Sequence, residues 1–295
     1  MSEITSGFPV AGPPRFDSID AVRQGLAGVE YLADDGIAGV VFLADRLAKP
    51  VLVEGPAGTG KTQLAKSVAE LTGARLIRLQ CHEGIDLHHA VYDWDYPRQL
   101  LALRAAESGV DEGELFARRF LLRRPLLEAL EADPAEPVVL LIDEIDRADD
   151  EFEAFLLEFL SDFAVTIPEL GTVSARRRPV VILTSNRTRE LHDALKRRCL
   201  YHWIDYPSPG RERQIVEARL PGVPARVAMR VVEAVGRLRD QGDLYKLPGV
   251  GETIVWAQAL LALGDGVALD ETLGAALKVH EDVLRVIERG VLEGV

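Results

Sequence analysis

The stretch Val51-Leu52-Val53-Glu54-Gly55-Pro56-Ala57-Gly58-Thr59-Gly60-Lys61-Thr62 decides how the rest of the chain is read. Its first three residues are apolar without alternation, the pattern of a strand buried on both faces. Gly55 to Thr62 then fill every fixed position of the phosphate-loop pattern, G, four residues, G-K-[ST]. Glycines at 55, 58 and 60 let the backbone turn so that successive amide N–H groups point into one hollow. From Gln63 to Leu71 the spacing is helical, which places the positive end of a helix at the same hollow. Pro56, Ala57, Thr59 and Gln63 complete the candidate binding segment. In such a segment Lys61 reaches the β- and γ-phosphates of ATP, and the Thr62 hydroxyl holds Mg²⁺.

A length of 295 residues suits one large domain and a smaller one, and 47% hydrophobic residues are ample for both cores. The net charge of −13 argues against nucleic acid as a partner, because backbone phosphates are gripped by a basic surface. Basic clusters at Arg118–Arg119, Arg123–Arg124 and Arg176–Arg178 are read as solvated faces or subunit contacts. Cys81 and Cys199 lie far apart and form no C-x-x-C pair, which predicts neither a disulfide framework nor a zinc site. His82, His88 and His89 follow Cys81, but at no standard metal spacing. There is no leader-like opening segment, and the longest uncharged stretch, 253–264, is too short to cross a bilayer. The expectation is a cytoplasmic protein with no direct membrane insertion.

Residues 1–17 read as a flexible arm, rich in proline, glycine and serine. Apolar residues then recur at helical spacing from 18 to 47, and Leu76 and Ile77 mark a second strand over 75–80. The segment 81–137 is less regular. It holds Tyr92, Trp94 and Tyr96 in a period-two run, as core or as a partner-contacting edge, followed by helical stretches over 98–107 and 114–132. Residues 138–142 are continuously apolar and end in Asp143-Glu144. A strongly amphipathic helix over 148–163 follows, with Phe152, Phe155, Leu156, Phe159, Leu160 and Phe163 on one face. A hairpin spans Pro168-Glu169-Leu170-Gly171, a buried strand covers 179–183, and a helix over 188–198 leads to a strand over 200–205. Three apolar strands alternating with helices predict an α/β fold, a doubly wound parallel sheet. After Pro207-Ser208-Pro209-Gly210 four helical patterns follow (211–220, 225–241, 251–263 and 270–289), so a small all-α domain should occupy 208–295 and the nucleotide domain 18–207.

Hydrolysis needs a metal on the phosphates, an activated water and stabilisation of developing charge. Asp143 ends an apolar strand, where ligands bind in open α/β sheets, and is the candidate Mg²⁺ contact. Glu144 is the candidate to polarise the attacking water. Asn186 ends the next apolar strand and would orient that water. Arg197 or Arg198, after a helix, would enter a neighbouring subunit's site as a finger.

Together these residues resemble an AAA+ ATPase: 55–62 looks like Walker A, 138–144 like Walker B, Thr184-Ser185-Asn186 like sensor 1, and Arg197-Arg198-Cys199 like the arginine-finger region. Asp143-Glu144-Ile145-Asp146-Arg147-Ala148 is similar to the signature of the MoxR branch. The segment 82–110 matches its helix-2 insert, and 163–179 matches its pre-sensor hairpin. Residues 92–100, 152–158 and 183–191 resemble the CoxD-type ATPases of carbon monoxide dehydrogenase maturation. The resemblance implies a homo-oligomeric, hexameric ring, a partner with a von Willebrand factor A domain, and remodelling of a metalloenzyme client. It favours Arg198 over Arg197 as the finger. The chain departs from many relatives at 249–253, where Glu252 and Thr253 stand in place of a sensor-2 arginine. A nucleotide-gated scaffold without substantial turnover is therefore the alternative reading.

Overall fold

The computed structural model describes residues 14–105, 112–264 and 267–295. The chain packs as two compact units, one of residues 14–29, 33–54, 65–105 and 112–202, the other of 30–32, 55–64, 203–264 and 267–295.

The first unit is built on parallel strands. Helices α1 (Ile19–Gly28) and α2 (Asp35–Leu47) precede β1 (Val51–Glu54), and α3 (Lys61–Thr72) leads to β2 (Arg75–Gln80). After an insert come β5 (Val138–Asp143), α8 (Asp150–Asp162), β8 (Val180–Ser185), α9 (Asp193–Arg198) and β9 (Leu200–Trp203). The sheet order is β2-β5-β8-β1-β9, with β1/β8, β2/β5 and β5/β8 paired in parallel. Every residue of β1 and β5 is buried, as is all of β8 after Val180. Such strands have no solvent face to tolerate a polar residue until they end, which is why the polar groups of interest sit at their C-terminal tips. The core beside the sheet is dominated by α8. Asp149 caps it by accepting from Phe152 N at 2.8 Å, and Phe152, Leu156, Phe159 and Phe163 are all buried. Between α8 and β8, β6 (Ala164–Ile167) and β7 (Gly171–Ser174) form the expected hairpin.

The insert departs from expectation. It holds α4 (Leu87–Ala90), β3 (Tyr92–Trp94), α5 (Tyr96–Ala105), α6 (Glu112–Leu115), β4 (Leu121–Arg123) and α7 (Pro125–Leu130). The continuous helix expected over 114–132 is absent. Leu121–Arg123 instead pair antiparallel with Tyr92–Trp94, and Pro125 starts a fresh helix because it cannot lie inside one. The helix expected over 98–107 begins earlier, at Tyr96; residues 106 and 107 lie outside the described residues. The aromatic run divides. Trp94 is buried edge-on against Phe116 at 5.2 Å, whereas Tyr96 faces solvent. Of the N-terminal arm, 1–13 lie outside the described residues, but 15 and 16 are not loose: Arg15 N donates to Asp45 Oδ2 at 2.6 Å and Phe16 is buried. The helix expected over 188–198 is confined to α9, because Thr188 and His192 are engaged by buried carboxylates described below.

The second unit carries α10 (Pro209–Arg219), α11 (Ala225–Asp240), α12 (Val250–Leu263) and α13 (His280–Glu288). Val231, Val235, Leu238, Trp256 and Leu260 form its core, and Trp256 Nε1 donates to Thr272 Oγ1 at 2.8 Å. The single helix expected over 270–289 is a 3₁₀ segment, Leu269–Ala275, and then α13. Val279 takes an extended conformation (φ −123°) between them and ends the periodicity.

Candidate functional site

In the second unit the phosphate loop has the backbone its glycines foretell. Gly55, Gly58 and Gly60 have φ of 152°, 78° and 92°, values closed to most side-chain-bearing residues. Thr59 Oγ1 donates to Pro56 O at 3.0 Å and closes the turn. Lys61 is buried, and its ammonium donates to Gly55 O at 2.8 Å and Pro56 O at 2.6 Å, lying across the loop. Thr62 and Gln63 are half-buried in the first turn of α3, while Pro56 and Ala57 form the loop's outer edge. A glycine-lined turn, a buried lysine and a hydroxyl beside it fit a Mg²⁺–nucleotide. Mg²⁺ needs few protein oxygens because phosphates and water complete its shell.

In the first unit the tips of β5, β8 and β2 build a closed ring of polar groups. Asp143 is 2% exposed. Its Oδ1 accepts from Thr184 Oγ1 at 2.6 Å, and its Oδ2 from Arg78 Nε at 3.0 Å and Nη2 at 2.5 Å. The same Thr184 hydroxyl oxygen accepts from Glu144 N at 2.9 Å. That bond helps hold Glu144 in the left-handed region (φ 56°), turning its carboxylate out of the strand line. Glu144 Oε2 accepts from Gln80 Nε2 at 3.0 Å and from Arg147 Nη1 at 3.2 Å, and Arg78 also donates to Gln80 Oε1. Asp143 and Glu144 therefore share one network but different partners: the buried Asp143 carboxylate takes the half-exposed Arg78 guanidinium, and Glu144 takes a neutral amide plus the exposed Arg147.

Two more carboxylates brace the tips. Asp146, 2% exposed, accepts from Thr188 N at 2.8 Å and Thr188 Oγ1 at 2.7 Å, so the loop after β5 is tied to the loop after β8. Glu153, 1% exposed, accepts from His192 N at 2.9 Å and pairs with Arg189. Asn186 follows β8 directly and is half-buried, and Arg187 turns the chain with φ 56°. Glu54 ends β1 buried and accepts from Ser185 Oγ and Tyr201 OH, both at 3.1 Å. Burial, then this contact with Glu54, raises the Tyr201 hydroxyl above its ordinary value. Cys81 Sγ, buried beside Asp143, Asp146 and Glu144, is pushed up to about 12 by desolvation first and those charges second, so it is a neutral thiol.

Within this unit the structure brings Asp143 and Glu144 together with Thr184. Arg197 and Arg198 close α9, exposed, with no ion pair among the described residues. Sequence reasoning gave Arg78, Gln80 and Thr188 no role, and named Thr184 and Asp146 only as members of motif runs. The signal for the first two was present: polar residues at 78 and 80 alternate with buried Ile77 and Leu79 on β2.

The model of the AAA domain, dynein-related subfamily, matches residues 50–199, half of the chain and every strand tip just described. The chain belongs to the AAA family. This AAA protein is also similar to the ATP-dependent zinc metalloprotease FtsH 3 of Sphaerobacter thermophilus, at 28% identity over 243 residues, covering 76% of this chain and 41% of that protein. It is 27% identical over 265 residues to the ATP-dependent zinc metalloprotease FtsH of Methylibium petroleiphilum, covering 84% of this chain and 35% of that protein. The chain thus spans well under half the length of these relatives. His82-Glu83 and His280-Glu281 are followed at the third position by Asp86 and Leu284, so neither completes a His-Glu-x-x-His zinc motif. Among the described residues no helix is long and apolar enough to cross a membrane.

Proposed function

We propose that this AAA protein hydrolyses ATP and uses the energy to remodel a protein client. The observation that carries the proposal is a complete phosphate loop combined with an Asp143-Glu144 pair at the tip of a wholly buried strand. On the sequence motifs, Lys61 and the loop amides would hold the phosphates, and Thr62 and Asp143 are the candidate oxygens for Mg²⁺, which would neutralise phosphate charge. Glu144, held by the Gln80 amide and the exposed Arg147, takes the proton of the attacking water. Asn186 orients that water. Arg198, with Arg197 as second choice, serves a neighbouring subunit in a homo-oligomeric, hexameric ring.

Resemblance at 92–100, 143–148, 152–158 and 183–191 supports the finer reading. In that reading the protein is a MoxR-type chaperone in maturation of a molybdenum–copper carbon monoxide dehydrogenase or related metalloenzyme, with a von Willebrand factor A partner. On it, 18–207 form the nucleotide domain and 208–295 the lid. The test is Mg²⁺-ATP turnover per subunit against protein concentration for wild type, Glu144→Gln and Arg198→Ala. Turnover that rises with concentration and is lost in both variants supports a shared site; undiminished activity in Glu144→Gln refutes the catalytic assignment. Glu252 and Thr253 at 249–253 favour the second reading, a scaffold that binds ATP and recruits its partner without substantial turnover. Tight ATP binding with negligible turnover at every concentration, with the partner present, selects it.

A further inference from the structure

The start of α12 and the phosphate loop, both in the second unit, meet backbone to backbone. Val250 N donates to Gly58 O at 2.9 Å. A Cβ placed on Gly249 would lie 2.6 Å from Gly58 Cα, 2.8 Å from its O and 2.9 Å from its C, and a Cβ on Gly58 would lie 2.7 Å from Gly249 Cα. No side chain intervenes, so nothing flexible can give way. Gly58 also needs its positive φ, but Gly249 does not: at φ −87° and ψ −179° it is in extended backbone open to any residue. Closeness to Gly58 is what demands glycine at 249.

A buried network fixes the chain on both sides of Gly249. Arg239 of α11 grips Glu212 of α10 with two bonds, Nη1 to Oε2 at 2.7 Å and Nη2 to Oε1 at 2.9 Å, while its Nε donates to Pro248 O at 2.9 Å. The Thr253 hydroxyl donates to Glu212 Oε1 at 2.6 Å, and Glu252 caps the helix by accepting from Gly249 N at 3.1 Å. Glu212 is 1% and Thr253 0% exposed, and the Arg239 guanidinium stacks on Tyr206 at 4.3 Å. Pro248 and Thr253, the neighbours of the contact, are therefore held by one ion pair.

We propose that the α-helical segment is coupled to bound nucleotide through this Gly58–Gly249 backbone contact, and that Glu212 and Arg239 are the positioning residues that hold it in register. The inference rests on the nucleotide-binding reading of the phosphate loop. Its physical basis is the planarity of the peptide joining Gly58 to Thr59. A carbonyl fixed toward Val250 fixes the Thr59 N–H in the opposite direction, so α12 sets the aim of one of the loop's amide donors. Glu252 makes its contribution as a cap for the helix, and no arginine from 249–253 is needed for the coupling.

The test is fluorescent ADP binding and backbone hydrogen exchange on the full chain. Gly249→Ala should weaken ADP binding at least tenfold, and Glu212→Gln severalfold. Gly251→Ala should match wild type, since a Cβ there meets nothing within 4 Å. In wild type, ADP should slow exchange over residues 250–256, a measurement that holds even where Gly249→Ala fails to fold. Unchanged affinity in folded Gly249→Ala, or unchanged exchange over 250–256 on ADP binding, overturns the coupling alone. Failure of wild type to bind ADP overturns the nucleotide reading and the coupling with it.

Discussion

Replacing Arg78 by methionine keeps the stem that lies along β2 and removes the two donors facing Asp143 Oδ2. The carboxylate is 2% exposed and the Arg78 side chain 47%, so the pair lies between the buried and surface cases. Breaking a buried pair costs about 3–5 kcal/mol and an exposed one under about 1 kcal/mol, and a charge-assisted hydrogen bond contributes about 1.5–3 kcal/mol. Discounted for solvent screening, the loss should be about 2 kcal/mol. For a unit of this size each kcal/mol moves the thermal midpoint by about 2–4 °C, so Arg78→Met should melt about 4–8 °C lower by scanning calorimetry. Arg75 provides the control on the same strand. It pairs with Glu128, but at 53% and 32% exposure, and Arg75→Met should move the midpoint by no more than about 2–4 °C. A double-mutant cycle with Asp143→Asn isolates the pair. A coupling energy under about 0.5 kcal/mol, or equal melting of the two arginine variants, refutes the claim that Arg78 secures Asp143.

Three further outcomes follow from the packing and the titrating groups. Phe159 is wholly buried in the α8 core, so Phe159→Ala should cost about 3–5 kcal/mol in urea unfolding; a loss under about 1 kcal/mol would mean the core is not packed as described. Burial pushes the Cys81 and Cys199 thiols up to about 12 in each case, so neither should react with a disulfide reagent at pH 8 until denaturant is added. His202 is lowered from its ordinary 6.5 by burial, against an opposing pull from Asp34, so the unfolded chain binds its proton more readily. The stability this contributes is present above about pH 6.5 and lost as pH falls below it; a midpoint that drops between pH 7.5 and 5.5 less steeply in His202→Gln than in wild type is expected, and equal slopes would count against it.

The sheet was legible because its strands are short, apolar and punctuated. Residues 51–54, 138–143 and 180–185 have no alternation to misread, and each ends in polar residues that mark the tip. The spacing of Phe152, Leu156, Phe159 and Phe163 likewise admits only a helix. The insert was not legible for the opposite reason. Its elements run to three or four residues at β3, α6 and β4, too short for any period to repeat twice, so the pairing of Tyr92 with Arg123 is a tertiary fact. The candidate site divides in the same way. Gly55 to Thr62 and Asp143-Glu144 are contiguous and carry their spacing with them. The braces do not: Arg78 lies 65 residues from Asp143 and Thr188 lies 42 from Asp146. Only folding reveals that Thr184 serves both Asp143 and Glu144 through one hydroxyl.

Among the described residues β2 stands at the margin of the sheet, with β5 as its one neighbour in the strand order. Its alignment, Arg75 opposite Val138 through Gln80 opposite Asp143, is what delivers Arg78 and Gln80 to the acidic tip. Because neighbouring strand residues face opposite ways, a shift of a single position would send both side chains to the far side and bring Ile77 and Leu79 in their stead. The chain can thus absorb insertions at the hairpin crest around 168–170 far more readily than one residue added between 75 and 80. In descendants of this sequence, length should drift at the first place and stay fixed at the second, even where the residues themselves change.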